Sequence, residues 1–234
     1  MSLEGVVFDF DGVLANSEPL HLRVYQILLG QEGIPFSSEE YYARYLGFDD
    51  VGVFEALARD KGLNVDGRMD DLIARKTVIF QDLVQRQPML FDGAEACLRA
   101  TAAAVPVAIA SGALRDEIDL VLRACGLASL VPVIVAAGDT PRSKPAPDPY
   151  REAVVRLSSH AGRALDPARV VAIEDSRWGL ESARAAGLRT VAVTTSYAAD
   201  ALEPADLIVP DIGHVTLARL QQVVYDSLEP ARRS

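Results

Sequence analysis

Val6-Val7-Phe8-Asp9-Phe10-Asp11-Gly12 opens the chain with a short apolar run that stops abruptly at two aspartates and a glycine. A run this short, without polar alternation, reads as a strand buried on both faces that reaches the edge of its sheet where the carboxylates begin. The same pattern recurs farther along. Val105 to Ala110 leads to Ser111-Gly112, Val133-Ile134-Val135-Ala136 follows, and Val170 to Ile173 ends at Glu174-Asp175. Val191-Ala192-Val193 then ends at Thr194-Thr195, and Leu207-Ile208-Val209 comes last.

Helical patterns fill the intervals. Asp92 is expected to cap a helix from Gly93 to about Ala103, and Leu114, Ile118, Val121 and Leu122 share a helical face that Gly126 ends. Asp148 is expected to cap a helix over Tyr150 to Leu157, with Pro149 at its first position, and Ser176 to Ala186 is closed by Gly187. Alternating strand and helix predicts an α/β fold, a Rossmann-like parallel sheet with both faces covered.

The interval between Phe8 and Val105 is far longer than one crossover needs, and most of it holds no strand-like run. Leu20, Val24, Ile27 and Leu28 repeat at helical spacing, as do Val53, Phe54, Leu57 and Ala58, then Leu72, Ile73, Val78 and Ile79. Gly33-Ile34-Pro35 and Gly62-Leu63-Asn64 punctuate them. The expected organisation is a core of residues 1–15 and 88–234 with a helical module of residues 16–87 inserted into it.

Composition narrows the function classes. The chain has 234 residues, half of them hydrophobic, and a formal net charge of −10, so it is an ordinary globular chain with an acidic balance that repels nucleic acid and anionic lipid. No apolar run approaches the roughly 20 residues of a membrane span. Met1-Ser2-Leu3-Glu4 carries no basic stretch and leaves no room for a signal peptide, so a cytoplasmic protein without nucleic-acid or membrane partners is expected, and a monomer is assumed on no feature of the sequence. Two cysteines, Cys97 and Cys125, are too few for a disulfide scaffold and are expected as small core residues.

In an open parallel sheet, ligands bind beyond the carboxyl ends of the strands. The residues there are Asp9, Asp11, Ser111, Glu174 and Asp175, with Lys144 in the loop after the third strand. Four carboxylates gathered at one edge repel one another unless a cation sits among them, and hard oxygen ligands without His or Cys select Mg²⁺. Mg²⁺ shares its shell readily with phosphate, so the site asks for a small phosphorylated metabolite. Lys144 would neutralise phosphoryl charge, and Ser111 with Gly112 offers a hydroxyl and an unobstructed backbone N–H. An aspartate can attack phosphorus, and a second carboxylate two residues on can serve as general acid and base.

Asp9-Phe10-Asp11-Gly12-Val13-Leu14, Ser111, Lys144-Pro145-Ala146-Pro147-Asp148 and Glu174-Asp175-Ser176 stand in the order of the four motifs of the haloacid dehalogenase superfamily. The chain resembles most its β-phosphoglucomutase-like and CbbY-like phosphatase branch, and the inserted helices resemble that branch's helical cap. The resemblance implies Asp9 as nucleophile and metal ligand, and Asp11 as general acid/base that lends the metal its backbone carbonyl. It implies Ser111 and Lys144 as holders of the phosphoryl group. Asp175 would ligate Mg²⁺, and Glu174 would be a second ligand or stand behind one. Ser111-Gly112 replaces the commoner pair of hydroxyl or amide residues, and Ser143 stands where glycine is frequent.

The expected activity is a Mg²⁺-dependent phosphatase acting on a sugar phosphate or a phosphoglycolate-like ester through a phosphoaspartate. A phosphosugar mutase is the alternative. The acidic pair Asp49-Asp50 beside Gly47 would oppose the second phosphate a mutase must hold, although Arg44 lies close by. Haloacid dehalogenation does not need Asp11, and a non-catalytic relative tends to lose a motif residue. Glu18, His21 and Arg44 are candidate substrate contacts from the cap, which is expected to close over the site on hinges near Ala15-Asn16 and Gln87-Pro88. Trp178 is expected to pack at the sheet edge, His160 and His214 to lie in polar loops, and Asp50 to be a solvated turn residue.

Overall fold

Six strands of the computed structural model form one all-parallel sheet: Gly5–Phe8 (β1), Val107–Ala110 (β2), Val133–Val135 (β3), Val170–Glu174 (β4), Arg189–Val193 (β5) and Leu207–Val209 (β6). The structure describes residues 2–45, 48, 50–84 and 89–228. The strand order is β3-β2-β1-β4-β5-β6, so the chain builds outward on one side of β1 and then returns to build outward on the other. That reversal, between β1 and β4, is where an open α/β sheet leaves a crevice at its carboxyl edge. Register places Phe8 beside Ile109 of β2 and beside Ile173 of β4, so Asp9 and Glu174 leave the sheet side by side.

Every residue of β1, β2, β3 and β4 is buried, which is why these strands read as unbroken apolar runs. Each strand run predicted from sequence matches an observed strand to within a few residues at its ends.

After β1 the chain leaves the sheet and returns beside its own exit. The Asn16 N–H donates to the Met89 carbonyl at 2.7 Å, and Ala15 pairs antiparallel with Leu90. The chain divides into two compact units, Met1–Asn16 with Met89–Ser234, and Ser17–Pro88. The expected hinge residues Gln87 and Pro88, and Gly47 and Asp49 of the loop, lie outside the described residues.

The smaller unit is helical: Glu18–Gln31 (α1), Ser38–Arg44 (α2), Asp50–Lys61 (α3) and Met69–Val84 (α4). Its core gathers Leu22, Tyr25, Leu28, Tyr41, Tyr45, Phe54, Leu57 and Leu72. The sequence reading missed α2, although Ser37 and Glu40 form a reciprocal capping box at its start, each side chain bonding the other's N–H at 3.2 Å. Val78, read as part of an apolar face, is 65% exposed. The position two residues before it holds the surprise: Lys76 of α4 is buried, with only 1% of its surface exposed.

In the larger unit Ala94–Ala102 (α5), Arg115–Ala124 (α6), Asp148–Ala161 (α7), Arg177–Ala185 (α8) and Leu217–Leu228 (α9) are helical. Tyr150, Ala153, Val154 and Leu157 of α7 pack with Ala183 of α8 on Val7, Ala108, Val133 and Ala172 of the sheet. Burying aliphatic side chains of this size stabilises by about 1.5–3 kcal/mol each.

Two expected caps are corrected. Gly93, at φ 85°, takes the cap position of α5 instead of Asp92, because a Cβ there would stand 2.6 Å from the Gly213 Cα. Asp148 lies inside α7, and its carboxylate binds Arg142 at 3.0 and 2.8 Å rather than the helix N–H groups. α7 also runs on to Gly162, so His160 is an exposed residue of its last turn, not of a loop. Cys97 is buried in α5 as expected, while Cys125 is only partly buried, at the end of α6. Among the described residues no helix is long and apolar enough to cross a membrane.

Candidate active site

Asp9 follows β1 directly, and its N–H donates to the Ile173 carbonyl of β4 at 2.9 Å, which extends the ladder by one residue. Asp9, Glu174 and Asp175 each bring one carboxylate oxygen within 4.8 Å of the others, and all three residues are buried. One cation stands among them. Lys144 Nζ lies 2.8 Å from Asp9 Oδ1 and 2.6 Å from Glu174 Oε1. Lys144 reaches this position from a loop tied down on its far side, where Asp139 accepts bonds from Arg115, Arg156 and the Ala136 N–H.

Glu174 is wholly buried, and both of its oxygens are engaged. Oε1 accepts from Lys144 and from the Tyr150 hydroxyl, each at 2.6 Å. Oε2 accepts from the N–H groups of Asp175 at 3.3 Å and Ser176 at 3.4 Å, and from the Ser176 hydroxyl at 3.1 Å. Ser176 also caps α8, its hydroxyl oxygen accepting from the Gly179 N–H.

Asp175 is held differently. Its Oδ2 accepts from the Ser196 hydroxyl, and it lies so close to Gly12 that a Cβ there would overlap it. Gly12 has φ 77°, a left-handed conformation that also favours glycine, and its carbonyl accepts from the Thr195 hydroxyl. Asp11, partly buried, bridges to Ala15 in the same turn.

These environments set the titration of the cluster. Burial, with Glu174 adding repulsion against the relief from Lys144, pushes Asp9 up to about 6. Burial and the charges of Asp9 and Glu174 push Asp175 up to about 8. Burial alone would depress Lys144, but Asp9 and Glu174 hold its ammonium well above the ordinary lysine value. Burial and then the Glu174 charge push the Tyr150 hydroxyl well above the ordinary phenol range.

Three carboxylates against one ammonium leave an anionic surplus in a set of oxygen donors alone, and that is donor chemistry suited to a hard divalent cation. Ser111 is buried at the end of β2, its N–H bonded to the Val135 carbonyl at 2.9 Å and its hydroxyl oxygen accepting from the Ala113 N–H at 3.1 Å. Gly112 beside it is exposed, with nothing near the space a side chain would occupy. The larger unit therefore brings Asp9, Glu174, Asp175 and Lys144 together, with Asp11 and Ser111 on adjoining strand ends.

The cap candidates each engage a partner within the helical unit. Glu18 accepts from the Tyr41 hydroxyl at 2.5 Å, His21 stacks on Phe80 with ring centroids 5.1 Å apart, and Arg44 pairs with Asp60 at 2.8 Å. Asp50, read as a solvated turn residue, instead receives Lys76 at 3.0 Å and the Tyr25 hydroxyl at 2.7 Å on the same oxygen. Trp178 is not packed at the sheet edge but stands 56% exposed on the first turn of α8.

Sequence reasoning passed over Tyr150, Thr195 and Ser196. The polar Thr194-Thr195-Ser196 run closing a predicted strand was the available signal for the last two. Tyr150 gave none, because an aromatic residue in the first turn of a helix reads as core.

The sequence pattern of the family described as haloacid dehalogenase-like hydrolase matches residues 6–193. Protein CbbY of Rhodobacter capsulatus is 33% identical over 224 residues, covering 91% of this chain and 95% of its own. The validoxylamine A 7'-phosphate phosphatase of Streptomyces hygroscopicus subsp. limoneus is 27% identical over 210 residues, covering 89% and 94%. Among solved structures, a CbbY variant from Rhodobacter sphaeroides in complex with xylulose-(1,5)bisphosphate superposes with a TM-score of 0.79 at 27% identity, covering 94% of this chain and 99% of the other. Motif order, sheet topology and these likenesses agree, and the chain belongs to the haloacid dehalogenase-like hydrolase family.

Proposed function

We propose that this phosphoric monoester hydrolase cleaves a small phosphorylated metabolite, a sugar phosphate before other esters, through an aspartyl phosphate on Asp9. The observation that carries the reading is Lys144, held at 2.8 Å from Asp9 beside an anionic cluster at the carboxyl ends of β1 and β4. Lys144 makes two bonds in the cluster and has a third proton to give a phosphoryl oxygen. Ser111 and the Gly112 N–H supply further donors for that group.

In the first step a carboxylate oxygen of Asp9 attacks phosphorus, the bond to the ester oxygen breaks, and Asp11 gives that oxygen its proton. In the second step Asp11 takes a proton from water, the hydroxide attacks phosphorus, and Asp9 leaves as a free carboxylate with inorganic phosphate released.

Asp9, Asp175 and the Asp11 carbonyl would hold Mg²⁺. Glu174, whose oxygens are both engaged, stands behind them as an anchor for Lys144. Bound there, Mg²⁺ supplies neutralisation of the charge on the phosphoryl oxygens. The residues of the helical insert are read as the cap that selects the leaving group, with Glu18, His21 and Arg44 as its candidate contacts.

The preference for hydrolysis over a mutase does not rest on Asp49-Asp50. Asp50 is neutralised by Lys76, and Asp49 lies outside the described residues. It rests on the named phosphatase among the relatives, and the sugar bisphosphate bound to the CbbY variant supports a phosphorylated sugar as substrate.

The test is a Mg²⁺-dependent assay on β-glucose 1-phosphate, xylulose 1,5-bisphosphate and phosphoglycolate that follows both inorganic phosphate and isomerised sugar phosphate. Phosphate release is expected, falling on the order of 10³-fold or more in Asp9→Asn while the fold is kept. Isomerisation outpacing release would make the chain a mutase.

A further inference from the structure

Tyr150 sits on the first turn of α7 with no exposed surface, yet its one polar atom does not serve the core. Its hydroxyl donates to Glu174 Oε1 at 2.6 Å, on the same oxygen that receives Lys144, and its ring face lies 5.0 Å from the Lys144 ammonium. A buried phenol needs a hydrogen-bond partner, and here the partner is the carboxylate oxygen that already holds the lysine.

The rest of the Glu174 environment shows how completely the carboxylate is fixed. A carboxylate offers about four lone-pair sites. Lys144, Tyr150, the Asp175 and Ser176 N–H groups and the Ser176 hydroxyl already converge on those of Glu174. α8 closes the remaining side at Gly179, where a Cβ would overlap the carboxylate itself. Glu174 thus has no room to swing toward a metal without giving up donors.

We propose that Tyr150 is a positioning residue of this site: its hydroxyl shares the Glu174 carboxylate with Lys144 and so keeps the lysine poised at Asp9. The inference rests on the reading of Lys144 as the phosphoryl anchor. Without the phenol proton, Oε1 would have Lys144 as its sole donor among these contacts, and the full attraction of Glu174 would fall on the ammonium. The ammonium would settle toward Glu174 and away from Asp9, weakening its grip on the phosphoryl group as it transfers. Tyr150→Phe keeps the ring beneath the ammonium and the packing of α7 on the sheet, so it removes this one bond.

The experiment uses the full chain with para-nitrophenyl phosphate as probe, titrating Mg²⁺, and compares wild type with Tyr150→Phe and Asp9→Asn. Tyr150→Phe is expected to lower kcat/KM about tenfold, the scale of losing a partner that orients a primary ligand, with the Mg²⁺ half-saturation unchanged. Equal kcat/KM in Tyr150→Phe and an active wild type would overturn the proposal alone. A shift in Mg²⁺ half-saturation matching the loss would also overturn it, because Glu174 would then be acting on the metal. A wild type that releases no phosphate would remove the reading of Lys144, and this inference with it.

A second measurement does not depend on turnover or on the variant folding. The Tyr150 hydroxyl proton, buried against a carboxylate, is expected as a slowly exchanging downfield ¹H NMR resonance that persists when Mg²⁺ is added. Its disappearance on adding Mg²⁺ would show Glu174 leaving Tyr150 and would overturn the proposal.

Discussion

Each of the two units buries a lysine against an aromatic ring, and the two lysines meet different company. Lys144 lies 5.0 Å from the Tyr150 ring between Asp9 and Glu174, with Asp175 close by. Lys76 lies 5.2 Å from the Phe80 ring and pairs with Asp50, whose accepting oxygen the Tyr25 hydroxyl also meets. The Lys76–Asp50 pair joins α4 to α3 across the helical unit. One ammonium against three carboxylates leaves a surplus that adds to burial in raising the carboxyl groups of Asp9 and Asp175 and that a divalent cation would relieve. The same side-chain types therefore link two helices in the helical unit and gather three carboxylates at one sheet edge in the α/β unit, and that gathering of carboxylates marks the second as the candidate site.

The largest expected effect breaks the crowded site where it has no slack. Gly12→Ala adds a Cβ into the Asp175 carboxylate and close to the Ser196 hydroxyl, at a backbone conformation that itself disfavours alanine. Phosphate release is expected to fall about 100-fold or more, since a misplacement near 1 Å can carry that cost, with a stability loss of about 2 kcal/mol or more. Gly62→Ala in the helical unit has a similar φ of 72° and open space around it. It should cost about 1–2 kcal/mol in backbone strain alone and leave turnover unchanged. Parallel assays and urea melts of the two variants check the contrast, and equal activity losses would mean the crowding at Gly12 has no special consequence.

Next in size is the Lys76–Asp50 pair. Removing one partner of a buried pair strands the other charge, so Lys76→Met is expected to destabilise by about 3 kcal/mol. The double variant Lys76→Met/Asp50→Leu should recover much of that loss, because the Asp50 carboxylate is then no longer left without its lysine. Urea unfolding followed by circular dichroism reads both. Unchanged stability with lost turnover would instead place Lys76 at the substrate and erase the distinction drawn between the two lysines.

That distinction also marks where sequence reading succeeds. The sheet was legible because strands buried on both faces leave unbroken Val, Ile and Ala runs, and because Asp9, Ser111 and Glu174-Asp175 stand where those runs stop. Lys76 was illegible for the complementary reason. A periodicity argument counts apolar residues on a face, so a lysine buried by its pairing with Asp50 is read as solvent-facing. Tyr150 failed differently, since its apolar ring satisfied the helix pattern while its hydroxyl did the work at Glu174. The helix α9 carries Leu220, Val223 and Val224 on its buried side and was passed over, as was the capping box of α2. Asp92 and Asp148 show that a capping residue type before a helix does not fix the cap when a glycine or an arginine nearby offers a better arrangement.

The last effect, confined to acid pH, sharpens the comparison because the Lys76–Asp50 pair imposes its field on a neighbour. His21 of α1 stacks on Phe80 of α4, facing Lys76 of the same helix and Asp50 of α3. Burial first, and then the Lys76 charge, depress it to about 4, while Asp50 pulls weakly the other way. In the unfolded chain a histidine titrates near 6.5. Between those values the unfolded state takes up a proton that the folded state refuses, so folding stability is full above about 6.5 and falls as pH drops toward 4. Urea midpoints at a series of pH values in that window should decline with acid in the wild type. His21→Phe keeps a ring on Phe80 and removes the titrating group, so its midpoint should stay flatter. Lys76→Met withdraws the cation that opposes protonation, so the decline should be shallower there too, on a lower baseline. An acid decline in His21→Phe as steep as in the wild type would assign the effect to other groups and detach His21 from the Lys76–Asp50 pair.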